Sequence, residues 1–169
     1  NNEAPGNYPD TVYKFSKESS FLYFFGINRL GMTGVIDLDS SEEYLFGDDV
    51  TMDDIIWMGP QPSVKDMAAS IGVDNSGSTQ DLKTLVTTAA RQRRQIHYLP
   101  PYRHDTMFAL EEMLGIPAAE LKAKASLPLI KAVVDLRSVK EPCEIEEIER
   151  ACDIGYEMHT TAMRLCKPG

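Results

Sequence analysis

The sequence predicts an α/β fold in which a mixed sheet with flanking helices is followed by one long helix. Two observations lead to this prediction. Segments typical of strands alternate with segments typical of helices after an initial hairpin, and the last fifth of the chain has the pattern of a single amphipathic helix. The 169 residues, 43% hydrophobic and 25% charged, suit one globular domain with an appendage.

The first third of the chain is predicted to contain an extended leading segment and three strands. Residues 1–14 are rich in Asn, Pro and Gly, which indicates extended chain. The aromatic run at 21–25, closed by Gly26, predicts a buried strand. Residues 33–38 and 43–46 predict a hairpin with a short turn between them.

The middle of the chain is predicted to be mainly helical. Residues 53–57 fit either a helical turn or a strand. Ser63 is a predicted N-cap for a helix through residue 70. Residues 74–79 are polar and rich in Gly and Ser, which predicts a loop, and apolar residues at helical spacing predict a helix over 80–94.

The next segments are predicted to be a strand, two helices and a connection. Residues 96–99 predict a strand that ends at two prolines. Asp105 is the predicted cap of a helix through residue 114, a shorter helix follows at 117–123, and residues 125–140 are interpreted as a connection.

The long helix is predicted to begin at Pro142, a residue that the first helical turn tolerates. Acidic residues crowd its N-terminal end, and Arg164 and Lys167 lie near its C-terminal end, as the helix dipole favours. About 25 residues at 1.5 Å each give a rod of ~37 Å. We expect it to be the first helix of a further domain. Its apolar stripe consists of Ile145, Ile148, Cys152, Tyr156, His159, Met163 and Cys166.

Composition excludes several classes of function. The net charge of −9 and the pI near 4.8 argue against a nucleic-acid or anionic-membrane surface. No apolar run approaches the ~20 residues of a membrane span. The cysteines, Cys143, Cys152 and Cys166, are spaced too far apart along one helix to pair, which predicts reduced thiols and a cytoplasmic protein.

Several segments, in this order and spacing, together resemble aminopeptidase P (Xaa-Pro aminopeptidase). The junction is an LR-x-x-K-x-x-x-EI pattern beginning at Leu136, followed by MHTTAM and CKPG. Upstream are SSFLYFFGI at 19–27, YLFGDD at 44–49, IIWMG at 55–59 and HYLPPYR at 97–103. Two departures matter: the Arg-rich helix and first strand with which the family usually opens are not present, and its metal ligands (two Asp, one His, two Glu) would lie beyond Gly169.

This resemblance implies a ribonuclease-H-like creatinase N-terminal domain over 1–137. The linker and first helix of a pita-bread metallopeptidase domain would follow over 138–169. The parent protein would be a homodimeric or homotetrameric enzyme that removes the N-terminal residue from peptides with proline in position two. Its catalytic domain would hold two divalent metal ions, Mn²⁺ by family resemblance, and this chain alone would bind no metal and be inactive.

Two residues are candidate substrate contacts. Trp57, the only tryptophan, is explained either by core or edge packing or, as the resemblance implies, by contact with a neighbouring subunit's substrate pocket. His159 is explained either by packing on the apolar stripe or by a place in the catalytic cleft. No metal ligand is predicted: His97 and His104 lack a ligand spacing, and the acidic pairs at 48–49 and 53–54 lack a calcium-loop pattern.

Three alternative functions stay open at this level. Prolidase, which cleaves Xaa-Pro dipeptides, shares the family. A catalytically inactive peptide- or protein-binding module could use the same fold, and so could an oligomerisation domain. The presence of the family's metal ligands in downstream sequence would favour an enzyme, and their loss a binding module.

Overall fold

The computed structural model describes residues 5–8 and 11–168, and the chain divides into two units, Asn1–Ser126 and Leu127–Gly169. The first unit begins with a short antiparallel ribbon of β1 (Pro5–Tyr8) and β2 (Thr11–Val12). This ribbon lies within the predicted extended segment. Residues 1–4, 9 and 10 are outside the described part of the chain.

A three-stranded mixed sheet confirms the predicted fold class. The strands are β3 (Thr33–Asp37), β4 (Glu42–Phe46) and β5 (Asn75–Gly77), in that spatial order. β3 and β4 form the predicted antiparallel hairpin, whereas β4 and β5 run parallel. Ser41 in the hairpin turn has a φ of 58°, in the left-handed region that tight turns require.

Most helices of the first unit lie close to their predicted positions. Ser63 is confirmed as an N-cap, and Gly115 ends a helix with a φ of 66°. The predicted helices over 63–70, 80–94, 105–114 and 117–123 are confirmed with small changes in their bounds. The six helices of the described part of this unit are α1 (Ser19–Phe25), α2 (Met52–Met58), α3 (Val64–Ser70), α4 (Thr79–Arg91), α5 (His104–Leu114) and α6 (Ala118–Leu121).

The core lies between α1, α3 and the sheet. Leu45 of β4 is fully buried, and Ala68 of α3 is 1% exposed. A side chain at Gly34 of β3 would lie 2.0 Å from the ring of Phe25, so glycine is required where α1 packs against the strand. The buried core cluster consists of Phe25, Ile27, Met32, Leu45, Val64, Ala68 and Val73.

The predicted strand at residues 21–25 is wrong, because this run forms helix α1. The Glu18 carboxylate accepts a hydrogen bond from the N–H of Phe21 at 2.8 Å, which caps the first turn. Gly26, with a φ of 66°, donates its N–H to the carbonyl of Leu22 and ends the helix. Both caps outweigh the strand preference of the aromatic residues.

Two further predictions, at residues 74–79 and 96–99, are also wrong. The predicted loop at 74–79 contains β5, whose backbone pairs with residues 44–46 despite its polar sequence. The predicted strand at 96–99 has neither strand nor helix. Its Tyr98 carbonyl accepts a bond from the N–H of Ser126 at 3.1 Å, and the Tyr98 hydroxyl donates to the carbonyl of Leu121, so Tyr98 bonds to the end of α6 and to the loop after it.

Asp105 does not cap α5, because Arg103 occupies the N-cap position. Asp105 lies within the first turn, where its carboxylate accepts bonds from the side chain of Arg103 and the N–H of Thr106.

The second unit consists of two helices. Residues 127–138, predicted as part of a connection, form α7 (Leu127–Ser138); Pro128 falls in the first turn, where proline does not break a helix. The predicted long helix is confirmed as α8 (Pro142–Leu165), with 24 residues. None of the α8 side chains is buried. The predicted domain boundary between 137 and 138 stays a prediction.

Candidate functional site

The candidate site in the first unit is the surface of helix α2. Trp57 is 87% exposed there, so it does not pack in the core of this unit. Met52, Ile56 and Met58 of the same helix are also exposed, and none of its seven residues is buried. The helix therefore exposes several apolar side chains, among them the aromatic ring of Trp57.

Local hydrogen bonds explain why α2 forms without burial. The Thr51 hydroxyl accepts a bond from the N–H of Asp54 at 3.2 Å, and the Asp54 carboxylate accepts one from the N–H of Thr51 at 2.8 Å. The hydrogen bond from the Thr51 side chain holds the pKa of Asp54 below its usual value. At the other end, Gly59 has a φ of 78° and donates its N–H to Ile55 at 2.8 Å.

The acidic pair that precedes α2 caps two other helices. Asp48 accepts bonds from the N–H and the hydroxyl of Thr79, at 3.0 and 2.7 Å, at the start of α4. Asp49 accepts a bond from the N–H of Val64 at 2.7 Å, at the start of α3. Carboxylates are favoured at the positive ends of helices, so the YLFGDD segment has a structural role.

His159 lies on the exposed surface of α8 in the second unit. Burial against the apolar stripe therefore does not account for this histidine within its own unit. Trp57 and His159 belong to different units, and their roles as substrate contacts stay predictions.

The other candidates form local contacts. The Nδ1 of His97 lies 2.6 Å from the Oγ of Ser126. Cys143, Cys152 and Cys166 are exposed and unpaired. Across residues 5–8 and 11–168, no group of His, Cys, Asp and Glu side chains could hold a metal ion.

The sequence analysis did not predict that the apolar neighbours of Trp57 are exposed. Its segment contains four consecutive apolar residues at 55–58. Consecutive residues of a helix point to different sides, so a short helix cannot bury all four against one neighbour. A run of this kind behind a capping box is a usable signal for an exposed apolar helix.

Comparisons with known proteins agree with the fold and the motifs. Residues 1–98 match the family model described as "Aminopeptidase P, N-terminal domain". Over its described residues the chain has no helix of the length and apolar character that crossing a membrane requires.

Curated relatives are Xaa-Pro peptidases by name. The "Probable Xaa-Pro aminopeptidase pepP" of Metarhizium acridum is 24% identical over 94% of this chain and 30% of its own length. The human Xaa-Pro dipeptidase is 25% identical over 95% of this chain and 32% of its own length. The chain thus spans about a third of the length of these relatives.

Among solved structures, the low-pH form of aminopeptidase P from E. coli superposes with a TM-score of 0.72 at 22% identity. The match covers 99% of this chain and 40% of that one, and it supports the fold. Together with the match of the family model to more than half of the chain, these findings show that the chain belongs to the aminopeptidase P N-terminal domain family.

Proposed function

We propose that this chain is the N-terminal, non-catalytic part of a metal-dependent Xaa-Pro aminopeptidase, which acts in the cytoplasm as a homodimer or homotetramer. The family match, the names of the relatives and the share of their length that the chain spans support this proposal. The described residues contain no group suited to hold a metal. The resemblance to the family supports the proposal that a peptidase domain outside these 169 residues holds the two Mn²⁺ ions, and the proposal gives these residues no catalytic step.

The exposure of Trp57 carries the part of the proposal that concerns substrate. An indole ring that is 87% exposed on a capped helix offers a flat apolar face. Such a face suits the ring of a proline residue, because aromatic rings stack favourably on other apolar rings. Trp57 would contact a proline-containing peptide, within its own subunit or in a neighbouring one.

His159 is the second proposed contact. A neutral imidazole can donate or accept a hydrogen bond at a peptide carbonyl or amide. Because His159 is exposed on α8, its ring is available for such a bond. In the protein that carries the peptidase domain, His159→Ala should lower kcat/KM by about tenfold, as expected for the loss of one hydrogen bond to the substrate. Unchanged kinetics with intact metal content would exclude this role.

The Trp57→Ala variant tests the first contact. We expect kcat/KM on Xaa-Pro-Xaa tripeptides to fall by about tenfold, because stacking on a ring is worth roughly one kcal/mol or more. Metal content, measured by atomic absorption, should not change. Ile56→Ala on the same helix is the matched control and should have a smaller effect; equal losses in both variants would argue for a general effect on α2 instead.

Prolidase remains the second candidate, because the human dipeptidase is as similar to this chain as the fungal aminopeptidase is. Metal-stripped protein with its peptidase domain, supplied with Mn²⁺, should cleave an Xaa-Pro-Xaa tripeptide faster than an Xaa-Pro dipeptide. A preference for the dipeptide would identify a prolidase. No cleavage of either would favour a peptide-binding module without catalytic activity.

A further inference from the structure

Residues 49–64 form a closed surface loop on the first unit. The chain leaves after β4 and returns at α3, and the hydrogen bond of 2.7 Å from the N–H of Val64 to the Asp49 carboxylate joins its two ends. Helix α2 lies between them. No other described helix or strand packs extensively against α2, and none of its residues is buried. The position of α2 therefore depends on the contacts at the base of this loop, where its two ends meet.

Arg29 provides a second contact at this base. Its Nη1 donates a hydrogen bond of 2.7 Å to the carbonyl of Pro62, on the segment between α2 and α3, and lies 3.5 Å from the sulfur of Met67. The main chain of Arg29 is itself anchored. Its carbonyl accepts a bond of 2.9 Å from the Nζ of Lys17, a buried residue whose ammonium lies 4.0 Å from the centre of the Phe21 ring.

We propose that Arg29 and Asp49 are positioning residues that hold α2 and thereby orient Trp57. Closed surface loops of this length, with ends that lie together, are often functional. The bond between Val64 and Asp49 closes the loop, and the bond from Arg29 to Pro62 joins the loop to the rest of the unit. Together they restrict how the loop can move, since at least one must break before its base can open or shift. An effect of these residues on catalysis rests on the proposed contact between Trp57 and substrate. Their effect on the mobility of α2 does not.

The test uses the 169-residue chain, in which Trp57 is the only fluorophore of its kind. Arg29→Met keeps most of the side-chain length and removes the donor. We expect the amplitude of the rapid component in the Trp57 fluorescence anisotropy decay to increase. Amide exchange over residues 50–62 should accelerate about tenfold. Exchange in β3 and β4 should not change. Arg29→Lys, which can still donate to Pro62, should restore much of the wild-type behaviour.

Asp49 supplies an independent pair of variants. Asp49→Ala should loosen Trp57 in the same way, whereas Asp49→Asn keeps an oxygen that can accept from Val64 and should have a smaller effect. Lys83→Met is the matched control, because it removes an exposed hydrogen bond of 2.8 Å to Glu112 elsewhere in the unit. It should leave the anisotropy of Trp57 unchanged.

The outcomes separate this proposal from the proposed function. If Arg29→Met and Asp49→Ala leave anisotropy and local exchange unchanged, or accelerate exchange equally in the sheet, the positioning role is wrong. If they loosen Trp57, the role is supported whatever the activity. In the protein with its peptidase domain, we then expect a higher KM with little change in kcat. If these variants loosen Trp57 without changing the kinetics, and Trp57→Ala also leaves the kinetics unchanged, the positioning role stands and the substrate contact is overturned.

Discussion

Helices α2 and α3 are neighbours in the chain with the same length and the same start, yet they differ in burial. Each has seven residues, and each begins with a hydroxyl residue followed three positions later by aspartate in a complete capping box. Helix α3 buries Val64 and Ala68 in the core, whereas α2 buries nothing. The capping box therefore determines where a helix begins, and the arrangement of apolar residues behind it determines whether the helix becomes part of the core.

The two apolar patterns explain the difference. In α3 the positions that face the core, 64, 67, 68 and 71, are spaced by three and four and share one side of the helix. In α2 the apolar residues at 55–58 are consecutive and surround the helix. Because α2 gains no burial, it should open at a lower free energy than α3, as expected of segments that make contacts with partners.

The largest difference in stability between the two helices should appear when a charged residue is placed on each. Ala68→Asp should lower the free energy of unfolding by about 3 kcal/mol or more, since it buries a carboxylate without a partner. Ile56→Asp should change it by less than about 0.5 kcal/mol, because the side chain remains in water. Urea denaturation measures both. A similar loss in the two variants would show that α2 is packed in solution.

Removal of the N-cap hydroxyls should have an intermediate effect that differs between the helices. Ser63→Ala should lower the global free energy of unfolding by about 1 kcal/mol, because α3 unfolds with the core. Thr51→Ala should weaken α2 by a similar amount but leave global unfolding nearly unchanged, since α2 opens on its own. Amide exchange resolved by residue distinguishes these cases. Global destabilisation by Thr51→Ala would mean that the two helices unfold together.

The sequence predicts those elements that depend on local signals. The helix that starts after Ser63 and the helix end at Gly115 follow from capping alone. The hairpin of β3 and β4 follows from two apolar runs around a polar turn. In contrast, the sequence predicts a loop at β5, because its three residues, Asn75–Gly77, have no strand preference. They form a strand only by pairing with β4, about 30 positions earlier in the chain.

The candidate site was predictable only in part, for a related reason. Trp57 was identified as a candidate, but its exposure depends on what the rest of the fold leaves uncovered. The contacts that hold its helix were not predictable, because Arg29 and Pro62 are 33 positions apart in the chain. For Asp48 and Asp49 the sequence shows only that a calcium-loop pattern is lacking, and their contacts at the starts of α4 and α3 are visible only in the structure.

The smallest predicted effect concerns the acidities of the two capping carboxylates. Hydrogen bonds from Thr51 and Ser63 lower the pKa of Asp54 and Asp66, respectively, below the ordinary value near 4. A carboxyl group with a lowered pKa in the folded state stabilises that state above its ordinary pKa, and this contribution is lost as the pH falls below about 4. Both carboxylates should show low pKa values in a titration followed by carbon NMR of the carboxyl groups.

The consequence of protonation should differ between the helices. Protonation of Asp66 should reduce global stability, whereas protonation of Asp54 should accelerate exchange only within α2. Thr51→Ala should return the pKa of Asp54 toward its ordinary value without affecting Asp66, and Ser63→Ala should do the reverse. If acid lowered the protection of both helices equally, the capping bonds of α2 would be coupled to the core, and α2 would not be the independently opening segment on which the orientation of Trp57 depends.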